Sequence, residues 1–333
     1  MTGDSSDLAS PLLSSQTFAL PAGSELGEGE VLLRLEGATL CNSDLHTLLG
    51  RRKEPTPSVL GHEGCGTVLE SSRAGVARGE RVTFSVTDVC GDCELCREGP
   101  QQKCLRLAKY GHSRQRPGEV PLGCYSTHIL LGRGTAVVSL PPALDITLAT
   151  PVNCALATMV AARAAARQHG LTRRTGERRV LIFGAGLLGL YGCALFKEDG
   201  LKVFVSDPVP ARRQEAVKFG AEEAVLPDLK YDAVVEVCGI GSVVKTGLSL
   251  LRPGGVVVVV GCVTPDSDLG LSGDSIVRAC ASIVGVHNYD QAHLATAVKE
   301  SYKAANGYQG FGLLSCKCWV AGSENLPRST KVT

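Results

Sequence analysis

The sequence predicts an α/β protein built from a β-rich, barrel-like domain followed by a doubly wound parallel sheet. Three observations carry this. The chain has 333 residues, enough for two separate cores. Up to about residue 150 it runs in short β-like stretches between glycine turns, with little long helical periodicity. From residue 155 onward, continuous apolar stretches alternate with helical ones, the pattern of strands covered on both faces.

The elements follow in order. Residues 31–37, VLLRLEG, alternate as a strand does, and GCGTVLESS and GERVTFSV continue the theme. The first domain is expected over 1–154. The texture changes at Cys154: ALATMVAARAAARQHG is Ala-rich, reads as a helix and stops at Gly170. RRVLIF, LKVFVSD, YDAVVEVCG, GGVVVVVG and ASIVGVH read as buried strands, with PARRQEAVKFG among the helices between them. The parallel sheet is expected over 155–287, and residues 288–333 as a return to the first domain.

Composition excludes some functions. A formal net charge of +1 gives no electrostatic reason to bind nucleic acid or an anionic membrane. No apolar run reaches the roughly 18–20 residues that span a bilayer. The stretch MTGDSSDLASPLLSSQ holds two acids and no Lys or Arg, unlike a secretory signal or a mitochondrial presequence. A cytoplasmic protein is expected, and its 14 cysteines are then thiols or metal ligands.

Most cysteines sit in apolar patterns and read as small hydrophobes, among them Cys193, Cys238, Cys262 and Cys280. VCGDCELCREGPQQKC is different. Cys90, Cys93, Cys96 and Cys104 crowd a polar, turn-rich loop at about 88–106. Disulfides, a redox pair and a metal compete for it. A redox Cys-x-x-Cys would open a helix after a strand, a setting absent here. Short Cys-x-x-Cys steps that let turn amides surround four thiolates suit a closed structural zinc site.

FGAGLLGL supplies Gly184, Gly186 and Gly189 in the spacing G-x-G-x-x-G, with Leu188 inside the motif. It follows a strand and opens a helix, and the acid Asp207 ends the next strand. That context is what a dinucleotide fingerprint requires. Gly184 makes the tight turn, Gly186 lets backbone approach a pyrophosphate, and Gly189 allows close helix packing. The acid favours NAD over NADP.

Three further stretches hold candidate ligands. LCNSDLHTLLG crowds Cys41, Ser43, Asp44 and His46; GHEGCGTV holds His62 and Glu63; PVNCALAT places Cys154 at the seam between domains. A lone Cys or His in such places is more often a buried thiol or a surface imidazole. Together, two cysteines and a histidine would give the three protein ligands of a catalytic zinc, leaving a position open.

In order and kind, these motifs resemble the zinc-containing medium-chain dehydrogenase/reductase family, over roughly residues 20 to 290. CNSDLHTLLGRR and NCALATMVAA look closest to the branch of phosphonate-catabolism-associated alcohol dehydrogenases, near the threonine and polyol dehydrogenases. The resemblance implies a GroES-like catalytic domain joined to a Rossmann domain, assembled as a homo-dimer or tetramer. It implies that Cys41, His62 and Cys154 are the catalytic zinc ligands, with Glu63 able to ligate transiently. Ser43 and then His46 would relay the substrate proton. Cys90, Cys93, Cys96 and Cys104 would hold a structural zinc, and Asp207 and Arg212 would meet the adenosine ribose. The implied activity is reversible hydride transfer between a small-molecule alcohol and NAD, with zinc polarising the substrate oxygen.

Both ends depart from that family. The first strand is poorly represented before Val31, and FGLLSCKCWVAGSENLPRSTKVT shows no strand or helix periodicity. The tail from about Phe311 is expected to be poorly ordered and to supply no ligand, so the last barrel elements would be missing. A second reading follows: a non-catalytic zinc- and nucleotide-binding protein with an incomplete catalytic domain.

Overall fold

A computed structural model describes residues 14–307, except 117–118, 173–174, 225, 227–228 and 265–266, and also residues 318–320. It has the two-sheet α/β architecture that the sequence predicts, one sheet antiparallel and one parallel.

Alternating apolar residues build the first sheet. β1 (Val31–Thr39) is followed by α1 (Asn42–Leu48), β2 (Glu63–Ser71) and β3 (Arg81–Asp88). The cysteine lobe carries α2 (Glu94–Arg97), and then come β4 (Ala108–Lys109), β5 (His128–Leu131) and β6 (Thr135–Ser139). β1 pairs antiparallel with β2 along one edge and with β5 along the other. β3 pairs with β2, β4 and β6. Val31, Leu33, Leu35, Phe84, Ile129 and Leu131 close a dry core inside this half-barrel.

α3 (Ile146–Ala149) leads into α4 (Ala155–Ala166), whose last, wider turn leaves helical geometry at Gly170, where the sequence places the stop. α4 is buried almost throughout, and its core is shared with residues of both sheets, such as Cys65 and Val86 on one side and Val180 and Ile182 on the other.

The second sheet is entirely parallel. Its elements are β7 (Arg179–Phe183), α5 (Leu187–Glu198), β8 (Lys202–Ser206), α6 (Pro210–Lys218), β9 (Ala221–Glu223), β10 (Tyr231–Glu236), α7 (Gly241–Ser249), β11 (Leu251–Val259), α8 (Gly273–Ala279) and β12 (Ser282–Gly285). The spatial order is β9-β8-β7-β10-β11-β12. Numbered from β7, that is 3-2-1-4-5-6, the dinucleotide-binding order, with its switch point between β7 and β10.

α9 (Ala292–Gly307) packs back on α4, and β13 (Cys318–Val320) joins β1 antiparallel, pairing Thr39 with Cys318 and Gly37 with Val320. The expectation of a tail without strand structure is therefore overturned at these residues. A three-residue strand has no periodicity to read; the free edge of β1 defines it. Phe311 and Cys316 lie outside the described residues. No single described helix is long and apolar enough to cross a membrane.

Candidate active site and zinc centres

Chain connections bring four donors together from distant positions. β1 delivers Cys41, which caps the N-terminus of α1. Glu63 opens β2 with His62 just before it, and Cys154 caps the N-terminus of α4. The ligand atoms of Cys41, His62, Glu63 and Cys154 all lie within 4.8 Å of one another.

Asp44 organises the cluster from behind. Its carboxylate lies 3.2 Å from His62 Nδ1 and accepts from Gly61 N at 3.2 Å, Cys41 N at 3.1 Å and the Tyr125 hydroxyl at 2.9 Å. An Nδ1–H donated to Asp44 leaves the Nε2 lone pair free to ligate, the arrangement metal-binding histidines use. That Nε2 also lies 3.4 Å from Ser43 Oγ. His46 sits three residues beyond Ser43 on α1, on the same face, and its buried Nδ1 has no partner among the described residues. The Thr39 hydroxyl donates to Glu63.

The four donors shift one another's protonation. The hydrogen bond from Cys154 holds the Cys41 thiol well below its usual range, and the same bond, with burial, pushes Cys154 well up. Burial and the Cys41 charge raise Glu63 to about 8. Burial opposes protonation of His62, yet its bonds to Asp44 and Cys41 outweigh that and raise it to about 10. Protons here stand where a divalent cation would satisfy two thiolates, an imidazole and a carboxylate at once. The donor set fits zinc.

The second centre is the lobe. Sγ–Sγ distances are 3.4 Å for Cys90–Cys104, 3.5 Å for Cys93–Cys96, and 3.8 Å for both Cys90–Cys96 and Cys93–Cys104. A tetrahedron with Zn–S of about 2.3 Å has S–S edges of about 3.8 Å. A disulfide would need about 2.05 Å. Backbone N–H groups of Cys90 and Arg106 donate to Cys104 Sγ, both at 3.3 Å. The sulfurs fit a structural zinc and exclude the disulfide alternative.

The glycine turn lies at the C-terminal end of β7. Gly184 has a φ of +105°, and a Cβ on Gly189 would meet Gly184 O at 2.0 Å. Gly186 caps α5 with open space where a Cβ would stand, so a pyrophosphate can approach the backbone there. Leu188 is half-buried on α5. Asp207 stands one residue beyond β8, not within it, and is buried. Its carboxylate accepts from Ala185 N and Val209 N, both at 2.9 Å. The guanidinium of Arg212 is 3.8 Å away and 59% exposed.

Sequence reasoning missed three residues. Asn153, fully buried, donates to the carbonyls of His62 and Phe84 and accepts from Gly64 N. Glu236, at the end of β10, accepts from the N–H groups of Gly239, Gly261 and Cys262, tying together the loops at the sheet's C-terminal edge. An acid closing an apolar strand was its one signal. Lys109 reaches across to Asn288.

Comparison with known proteins identifies both domains. Residues 27–142 match the alcohol dehydrogenase GroES-like domain, and residues 188–302 match the zinc-binding dehydrogenase domain. An L-threonine 3-dehydrogenase of Pyrococcus abyssi is 26% identical over 317 residues, covering 86% of each chain. A zinc-type alcohol dehydrogenase B of Aspergillus flavus is 28% identical over 253 residues, covering 70% of this chain and 58% of that one. An alcohol dehydrogenase structure from Thermotoga maritima superposes with a TM-score of 0.75 at 25% identity, covering 89% of both chains. With both domain matches in sequence order over the two sheets, the chain belongs to the zinc-containing medium-chain dehydrogenase/reductase family, that of the zinc-dependent alcohol dehydrogenases.

Proposed function

We propose that Cys41, His62 and Cys154 hold the catalytic zinc of an NAD-linked alcohol dehydrogenase, with Glu63 as an alternate ligand, and that Cys90, Cys93, Cys96 and Cys104 hold a structural zinc. The observation that carries this is the convergence of Cys41, His62, Glu63 and Cys154 within 4.8 Å. When bound, zinc supplies Lewis acidity at the substrate oxygen and the nicotinamide supplies a hydride acceptor. The protein's own groups do the rest. Asp44 fixes the His62 tautomer, and Asn153 fixes the backbone on both sides of the site. Ser43 is placed to take the substrate hydroxyl proton, and His46, a turn further on, passes it outward. Gly184, Gly186, Leu188 and Gly189 shape the dinucleotide turn, while Asp207 and Arg212 meet the adenosine ribose.

The substrate is a small-molecule alcohol or its carbonyl partner. A homo-oligomer, dimer or tetramer, fits the open edge of β12 together with the exposed Val277 and Val263. A cytoplasmic setting fits fourteen cysteines of which none among the described residues is paired in a disulfide. Zinc stoichiometry together with NAD reduction over a panel of alcohols tests the reading. Two zinc ions per chain and turnover of at least one alcohol are expected. Two zinc ions with no turnover across the panel would favour the non-catalytic reading instead.

A further inference from the structure

Between the Cys41–Cys154 centre and the C-terminal end of β12 lies a group of cations that the chemistry above does not use. Lys109, on β4 opposite Thr87, places Nζ 3.1 Å from Asn288 Oδ1. Lys103, from the cysteine lobe, places Nζ 2.7 Å from His287 Nδ1. Arg52, beyond α1, joins the group through Glu54, which it shares with His112. The His112 ring lies 4.8 Å, centroid to centroid, from that of His62; His112 N donates to the Lys109 carbonyl at 3.1 Å, and its Nδ1 lies 3.4 Å from the Glu54 oxygen that Arg52 holds. The group therefore borders the candidate catalytic centre. It is also on the side of a parallel sheet where ligands bind, beyond the strand ends.

The charges do not balance. Glu54 is the carboxylate whose charge acts on Lys109, and it is already engaged. Arg52 Nε holds Glu54 Oε1 at 2.5 Å, and His112 Nδ1 lies 3.4 Å from the same oxygen. Neither lysine has a carboxylate within ion-pair distance among the described residues; their partners are an amide and an imidazole. Burial first, and then the charge of Arg52, lowers Lys109 to about 8. A half-buried ammonium with no carboxylate at ion-pair distance is costly, and an incoming anion would reduce that cost. Arg and Lys at the mouth of a cleft also draw anions in by their field.

We propose that Lys109, supported by Arg52 and Lys103, binds an anionic group of the substrate, so that the alcohol this protein oxidises carries a carboxylate or a phosphoryl group on its chain. The assignment rests on the dehydrogenase reading and narrows its substrate class.

The test uses the zinc-loaded full chain with NAD and three alcohols of equal carbon length: 1-propanol, 3-hydroxypropanoate and 3-hydroxypropyl phosphate. At least one anionic alcohol should exceed 1-propanol at least tenfold in kcat/KM, and which one does so identifies the headgroup. That ratio should fall at least tenfold in Lys109→Gln and stay within a few-fold of wild type in Lys109→Arg. Should Lys109→Gln not fold, Arg52→Gln serves in its place, with a smaller fall expected. A preference for 1-propanol, or a ratio unmoved by both glutamine variants, would overturn the proposal. A binding readout separates it from the dehydrogenase reading. Inorganic phosphate or propanoate should raise the Tm of wild type and not of Lys109→Gln. If no alcohol is turned over, the dehydrogenase reading falls, and this Tm shift alone decides for or against the anion site.

Discussion

The Asn153 side-chain amide donates to the His62 carbonyl at 3.1 Å, joining residues 91 positions apart in the chain. It also donates to the Phe84 carbonyl at 2.9 Å and accepts from Gly64 N at 3.3 Å. The backbone carbonyl of Asn153 accepts from the hydroxyl of Tyr289. Since the next residue is Cys154, one buried amide sets the spacing between two candidate ligands.

Replacing Asn153 with Ala would strand three buried polar groups. Unpaired groups of this kind cost about 1–3 kcal/mol each, so a loss of roughly 3 kcal/mol or more is expected in urea unfolding. None of these bonds involves a lobe residue. Asn153→Ala should therefore lose zinc from the Cys41 set while keeping the four-cysteine zinc. Retention of both ions with wild-type stability would refute the positioning role.

The two centres should also separate by mutation. Cys41→Ser is expected to abolish turnover and leave one zinc per chain with little change in Tm. Cys96→Ser removes one corner of the sulfur tetrahedron, and metal binding to such a lobe is folding free energy. It should leave the other zinc but lower Tm clearly. Normal turnover in Cys41→Ser would show that the catalytic ligands have been misassigned.

What could be read from the sequence is what is local. The lobe cysteines and the glycine turn announce themselves because their partners lie within about a dozen residues, and their chemistry fixes the spacing. The short helix Asn42–Leu48 carries no amphipathic repeat; it forms because Cys41 and Asp44 close its first turn and Asp44 is anchored by His62 and Tyr125. Asn153, Lys109 and the strand at 318–320 gain their roles only from contacts far along the chain. No periodicity encodes such contacts, so a sequence pattern could not show them.

His287 gives the fold a dependence on pH. Its Nδ1 lies 2.7 Å from Lys103 Nζ, a donor that requires an unprotonated ring nitrogen. Burial first, then the charges of Lys109, Lys103 and Arg52, lower it to about 4. An unfolded histidine titrates near 6.5, so the unfolded chain takes the proton first as pH falls. The contribution of His287 is thus intact above about 6.5 and is lost progressively down to about 4. Acid also releases zinc, so the informative quantity is the stability difference between wild type and His287→Gln. In urea unfolding that difference should shrink from pH 7.5 to pH 5. A constant difference would contradict the assignment.

The cofactor preference rests on Asp207. Each of its carboxylate oxygens accepts one backbone N–H, from Ala185 and Val209 at 2.9 Å. A carboxylate oxygen has a second lone pair, so both can still accept from the 2′- and 3′-hydroxyls of an adenosine ribose. The 2′-phosphate of NADP would meet the same carboxylate at close range, a repulsion of roughly 2–4 kcal/mol at an effective dielectric near 20. Arg212, at 3.8 Å, is the counterweight, but it is 59% exposed and screened by water. Arg213 is turned away: it holds Glu223 at 2.8 Å and the Asp207 carbonyl at 2.7 Å. NAD should therefore exceed NADP at least tenfold in kcat/KM. Asp207→Ser removes the charge and the bond to Ala185, so it should lower activity with both cofactors while narrowing their ratio. Asp207→Asn keeps an acceptor for Ala185 and separates the two effects, narrowing the ratio with a smaller loss of activity. A higher kcat/KM with NADP in the unmutated protein would overturn the preference, and with it the claim that the buried acid outweighs the exposed arginine.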